Sequence, residues 1–274
     1  MLRSLKNTFK SAIKSLEILY VLENSKPCAR ILANEDELKK IFDCLYNNSL
    51  EFSISNFKLK KINNEGYYSD KSVKIRKDSL EKGYFILYIS KVKELCEKAK
   101  AYEENGMHFE LGMVLGYPKC CCKFFSENFN EDNYDLTLNI LKNSGGFEFP
   151  FYANIAARHF DVSLLSHFPC SFNCKYSINI AKENLEIIKG YSIQKAEIFE
   201  NIMKSAVLYT QNGIFLLKNH KKAGNEIGFE DVLATAKNKL YNELMANKKI
   251  GIVDKNKIKV GNNEVANTGL MVFT

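Results

Sequence analysis

The chain has 274 residues, 46% of them hydrophobic and 26% charged, with a formal net charge of +7. No apolar run reaches the roughly 20 residues of a membrane span, and the basic opening lacks the continuous apolar core of a secretory signal. Four prolines and fourteen glycines argue against long disordered linkers, and the mild positive charge suits an anionic small molecule or a nucleic acid without naming either.

In chain order, Leu2, Leu5, Phe9, Ile13 and Leu16 share one face of an amphipathic helix, expected to dock on its own domain rather than on a membrane surface. "ARIL" is a short strand. "NEDELKKIFDCLYNN" is a helix with Asn34 as cap, Glu37 three residues later, and Leu38, Ile41, Phe42 and Leu45 as its buried face. "EFSISNFKLKKI" alternates as a strand does, and "YFILYIS" reads as a more buried strand. These elements make a small α+β lobe over residues 1–90.

A helical domain is expected over residues 91–204. Val92, Leu95, Cys96, Ala99 and Tyr102 mark its first helix, and "GMHFELGMVLG" its second. Pro118 opens a third, because proline is tolerated in a first helical turn. Helices are expected to run on through Asn139 and through "FYANIAARHF". A further helix starts near Cys170 and carries Ile178, Ala181, Leu185 and Ile188, and another holds Phe199, Ile202 and Met203. Residues 205–274 form an α+β cap. "SAVLYTQNGIFLLKNHK" predicts a hairpin turning at Asn212-Gly213. Leu233, Ala236, Leu240 and Leu244 mark a helix, and "KIGIVDKNKIKV" and "GLMVFT" are closing strands. The fold class is α+β.

The eight cysteines fall into two kinds. Cys44 and Cys96 lie on helical stripes and read as small apolar side chains. Cys28 follows Pro27 and has no evident role. Cys120, Cys121 and Cys122 stand in a row after Pro118, and Cys170 and Cys174 follow Pro169 with His167 just upstream. Each group stands at a predicted helix start. Free N–H groups and the partial positive charge of a helix N-terminus stabilise thiolate, the form that ligates metal or attacks. Neighbouring helical positions diverge by about 100°, so the triple is expected to supply one or two ligands, Cys120 or Cys121. His167, Cys170 and Cys174 complete the candidate set. Tetrahedral zinc wants four such ligands, and an iron–sulfur cluster wants four cysteines or a histidine in place of one. Adjacent cysteines favour the polynuclear iron–sulfur cluster over zinc. With neither signal nor span read from the sequence, a cytoplasmic home is expected, and in reducing cytosol clustered cysteines are more often metal ligands or catalytic thiols than disulfides.

Glu110, at the edge of an apolar stripe, and Arg158, suited to an anion, are candidate catalytic residues. His108 reads as a partly buried structural histidine. His220, among lysines, reads as basic surface. No phosphate loop and no dinucleotide fingerprint occurs. Ser177 stands where a radical S-adenosylmethionine enzyme would need its third cysteine, which excludes that motif.

Leu115–Pro118 with Cys120 and Cys121, together with His167, Pro169, Cys170, Ser171 and Cys174, resemble the LGYP-x-CC and H-x-P-C-S-x-x-C segments of a prokaryotic family of unknown function. The resemblance covers the helical centre alone and brings no activity with it. It implies that the two cysteine groups belong together and that Cys122 is extra to the pattern. The expected function is a metal-centre protein, an enzyme or enzyme partner in electron or sulfur transfer. The alternatives are a nucleic-acid-binding module with structural zinc and a metal-free thiol oxidoreductase.

Overall fold

The N-terminal amphipathic stretch breaks in two. In the computed structural model, which describes residues 1–62, 72–130 and 133–274, helix α1 (Leu2–Phe9) ends at Lys10 in a left-handed conformation. Helix α2 (Ala12–Leu22) restarts at Ser11, whose hydroxyl accepts the Lys14 N–H. Leu2, Leu5, Phe9 and Leu16 are all buried, so the apolar stripe is spent inside the fold. No helix among the described residues is long and apolar enough to cross a membrane.

The fold is mixed α+β, and the chain divides into two compact units, one up to residue 134 and one from 135 to 274. In the first unit, strands β1 (Ala29–Asn34), β2 (Glu51–Lys61), β3 (Ser72–Arg76) and β4 (Tyr84–Ser90) form an antiparallel sheet in the order β1-β4-β2-β3. Helix α3 (Leu38–Asn47) follows a short 3-10 turn. That turn begins at Asn34, whose backbone N–H donates to the Glu37 carboxylate at 3.2 Å, one half of the reciprocal cap read from the sequence. Strand β4 is buried at every position after its first, because helices pack on both its faces. Ile86 and Tyr88 point toward α4 (Lys93–Glu104) and α5 (His108–Val114), where Cys28, Cys96, Ala99, Leu111 and Leu115 complete a core. Cys28 and Cys96 are fully buried, and their thiols donate to backbone carbonyls, Cys28 to Ala29 at 3.7 Å and Cys96 to Glu51 at 3.4 Å. Helix α6 (Lys119–Asn128) packs on α5.

The second unit opens with helix α7 (Thr137–Asn143) and strand β5 (Glu148–Phe149). "FYANIAARHF" forms two tight 3-10 turns, Phe151–Ala153 and Ile155–Phe160, rather than an α-helix. Helices α8 (Lys175–Tyr191) and α9 (Ile193–Met203) follow. The remaining strands are β6 (Ala206–Thr210), β7 (Gly213–Lys218), β8 (Lys221–Ala223), β9 (Glu226–Gly228) and β10 (Asp231–Ala234), then, after helix α10 (Lys239–Asn247), β11 (Lys249–Asp254), β12 (Lys257–Val260), β13 (Asn263–Ala266) and β14 (Gly269–Phe273). They make two sheets, β10-β7-β6-β14-β5 and β13-β12-β11-β9-β8. Leu208, Phe215, Ile227, Leu244, Ile250, Ile258 and Leu270 join in one core.

Two local expectations move. The β6–β7 hairpin turns at Gln211-Asn212, because Thr210 pairs with Gly213, which takes φ +147°. Leu233 lies in β10 opposite Leu216 of β7, so the C-terminal helix begins only at Lys239. Here sheet pairing wins over a 3.6-residue pattern that the sequence allows equally well.

Candidate metal centre

The cysteine triple is delivered by a tight connection between α5 and α6. Leu115 is buried, and Gly116 adopts φ +81°, a left-handed conformation that favours glycine. The Tyr117 N–H returns to the Gly112 carbonyl at 2.9 Å. Pro118 then precedes α6, and its carbonyl accepts the N–H groups of Cys121 at 2.8 Å and Cys122 at 2.9 Å. This turn sorts the three thiols. Adjacent helical positions diverge, yet the Cys120 and Cys121 sulfurs converge to 3.8 Å. Cys122 turns the other way, into α5. A Cβ added at Gly112 would come within 2.7 Å of its sulfur, so the glycine makes room for that thiol. Burial pushes the Cys122 thiol up to about 11, which keeps it protonated at neutral pH.

The second group does not begin a helix at Cys170. Helix α8 starts at Lys175 with Cys174 as its cap residue, and residues 170–173 form a turn. The reason is Phe172. Its ring is fully buried, 4.9 Å from the Phe149 ring and 5.4 Å from that of Phe273, a direction a continuous helix would not allow while both cysteines face together. Side chains of α7 and its end hold the turn. Ser144 Oγ accepts the Phe172 N–H at 2.9 Å and lies 3.2 Å from Ser171 Oγ. Asn143 Nδ2 donates to the Cys170 carbonyl at 2.6 Å, and the Cys174 N–H donates to the Ser171 carbonyl at 3.0 Å.

Cys120, Cys121, Cys170 and Cys174 form a group that could hold a metal ion. Cys121 and Cys174 are buried, while Cys120 and Cys170 reach solvent. His167 is not one of the four. Its Nε2 lies 2.9 Å from the hydroxyl of Ser177, a fully buried residue of α8. Glu110 sits half-buried in the first turn of α5, also outside the group. His108, two residues earlier, packs edge-on against Phe125 and Phe129, and burial lowers its basicity.

Arg158 belongs to a constellation that no local sequence pattern announces. Its Nη2 lies 2.6 Å from the carboxylate of Asp135, and its guanidinium lies 4.9 Å over the Phe168 ring. The Thr137 N–H and hydroxyl donate to the same carboxylate at 2.9 and 2.6 Å, Tyr209 donates its hydroxyl, and His159 Nε2 lies 3.5 Å away. Burial alone would raise the Asp135 carboxyl. Arg158 and these donors outweigh burial and hold it far below the usual carboxylate range. Nothing local marks Asp135 as such a hub, since its partner Tyr209 lies on a distant strand.

No curated protein matches the chain, and no solved structure matches it. Residues 91–204, which include both cysteine groups, match the family described as a protein of unknown function, DUF483.

Proposed function

We propose that the protein is a metal-centre protein in which Cys120, Cys121, Cys170 and Cys174 hold one ion as a tetrathiolate, and that the ion is zinc. The observation that carries the reading is the spacing of the adjacent pair: the Cys120 and Cys121 sulfurs stand 3.8 Å apart. A tetrahedron with zinc–sulfur bonds of about 2.3 Å has edges of about 3.8 Å. An iron–sulfur cluster places several irons and sulfides between its thiolates and spreads at least some of them beyond that edge. A pair at that edge suits two ligands of one ion and favours that over the cluster that adjacent cysteines first suggested. Four thiolates leave no open coordination position, which is the mark of a structural rather than a Lewis-acid site. Activity then belongs to the surfaces this centre organises, and a net charge of +7 suits an anionic partner, a small molecule or a nucleic acid.

A second reading rests on the solvent exposure of Cys120 and Cys170. Thiols this close can exchange electrons without metal, as a thiol oxidoreductase. One experiment separates the readings. Protein purified without oxygen is assayed for zinc, iron and acid-labile sulfide, and its visible spectrum is recorded before and after cobalt substitution. One zinc per chain, lost in Cys170→Ala and Cys174→Ala, is expected. Iron with sulfide would return the function to electron or sulfur transfer. Absence of metal, with a reversible disulfide found by mass mapping, would favour the oxidoreductase.

A further inference from the structure

Two pairs of neighbouring residues meet in the first unit. Lys26 and Pro27 precede β1, and Gly116 and Tyr117 precede α6. A Cβ at Gly116 would stand 2.6 Å from Pro27 Cδ, so this backbone lies directly against the proline ring. Beside that contact, Lys26 Nζ lies 4.6 Å from the centroid of the Tyr117 ring. Lys26 is buried and ion-paired at 2.9 Å with Glu17, itself buried. A buried ion pair seldom adds stability over well-packed apolar residues, and its best-attested use is to fix one arrangement among several. An ammonium over an aromatic face, shielded from water, is a strong and directional contact.

What this contact fixes is the start of α6. Only Pro118, with its restricted φ, stands between Tyr117 and the helix. The Tyr117 carbonyl accepts the Cys122 thiol at 3.5 Å, and the Pro118 carbonyl accepts the N–H groups of Cys121 and Cys122. Moving the Tyr117 ring therefore moves the acceptors on which the first turn is built. The Cys120–Cys121 separation is set in that turn.

We propose that Tyr117, held over Lys26, is a positioning residue of the metal centre that presets the Cys120–Cys121 pair for its ion. The proposal rests on the metal-centre reading. It explains the tyrosine of the LGYP segment, whose ring is the grip and whose following proline transmits it.

The test compares Tyr117→Phe, which keeps the ring over Lys26, with Tyr117→Leu, which removes it. Leu45→Ala, a buried change in α3, serves as a destabilised control. Zinc affinity is read by competition with a chromophoric chelator. The alkylation rate of Cys120 is read in metal-free protein. Tyr117→Leu is expected to weaken zinc about tenfold, as loss of an outer-shell contact does, and to change the Cys120 rate. Tyr117→Phe and Leu45→Ala are expected to match wild type in both, although Leu45→Ala melts lower. Wild-type zinc affinity in Tyr117→Leu, or an equal loss in Leu45→Ala, would overturn the proposal. If wild-type protein takes up no zinc, the metal reading fails by itself. The alkylation rates then decide the positioning claim: a Cys120 rate unchanged in Tyr117→Leu refutes it, and a changed rate upholds it.

Discussion

Replacing Asp135 by asparagine tests whether its carboxylate is the hub that organises the second unit. The change keeps the shape and removes the charge. Arg158 then loses the Asp135 anion while still lying over Phe168, and the Thr137 and Tyr209 donors face a neutral carbonyl or an amide. Breaking a buried ion pair on one side costs about 3–5 kcal/mol. Both side chains retain some exposure, 21% for Arg158 and 16% for Asp135, so solvent screens part of the loss and the lower end applies, about 3 kcal/mol. With a urea slope of about 2 kcal/mol/M, the midpoint falls by about 1.5 M. Hydrogen exchange along the urea titration, read on peptides from β6 and from residues 151–160, assigns the loss to this unit. The pH dependence has a fixed sign. An unfolded aspartate titrates near 3.9, and the folded carboxyl titrates far below it. The hub's contribution is therefore full above about pH 5 and is lost as pH falls from the unfolded value through the folded one. The gap between wild type and Asp135→Asn should narrow in acid. A loss under about 1 kcal/mol at neutral pH, or a gap that widens in acid, would refute the reasoning.

Two further outcomes are expected. In metal-free protein at pH 8, iodoacetamide should label exposed Cys120 well before Cys122, whose thiol is buried and titrates near 11; peptide mapping against time reads the order, and equal rates would contradict the inward direction of Cys122. Gly112→Ala should lower stability by about 1–3 kcal/mol through overpacking, because the new methyl carbon would lie 2.7 Å from the Cys122 sulfur. Thermal melts of Gly112→Ala beside Gly112→Ala/Cys122→Ala check it, the second change restoring most of the loss.

The cysteine groups were legible because side-by-side thiols after a proline are rare and packing does not call for them. Strands such as "YFILYIS" and the Asn34–Glu37 cap were legible because their signals are local. The sorting of the three thiols was not, since it depends on a glycine of the preceding helix that only folding brings beside Cys122. The helix expected at Cys170 failed for a similar reason. Phe172 has helix-compatible chemistry, and only the presence of Phe149 and Phe273 turns it inward. Leu233 fits a helical stripe by spacing, but its partner Leu216 lies in another segment. Lys26 with Tyr117, and Asp135 with Tyr209, join residues far apart in sequence, where no periodicity can announce them. In each case the missing information is the identity of a distant neighbour.

Strand β14 sits between β6 and β5 in its sheet, antiparallel to the first and parallel to the second. Synthesis delivers these strands in a different order from their assembly. β5 leaves the ribosome early and has no ladder partner until β14 follows it. The β6–β7 hairpin can close on emergence, but β6 then keeps an open, apolar edge through the synthesis of β8 to β13. A nascent chain paused in that interval displays an unpaired strand, the kind of surface that invites wrong pairing and that chaperones cover. The time taken to make β8 to β13 thereby sets how long that edge waits for its partner.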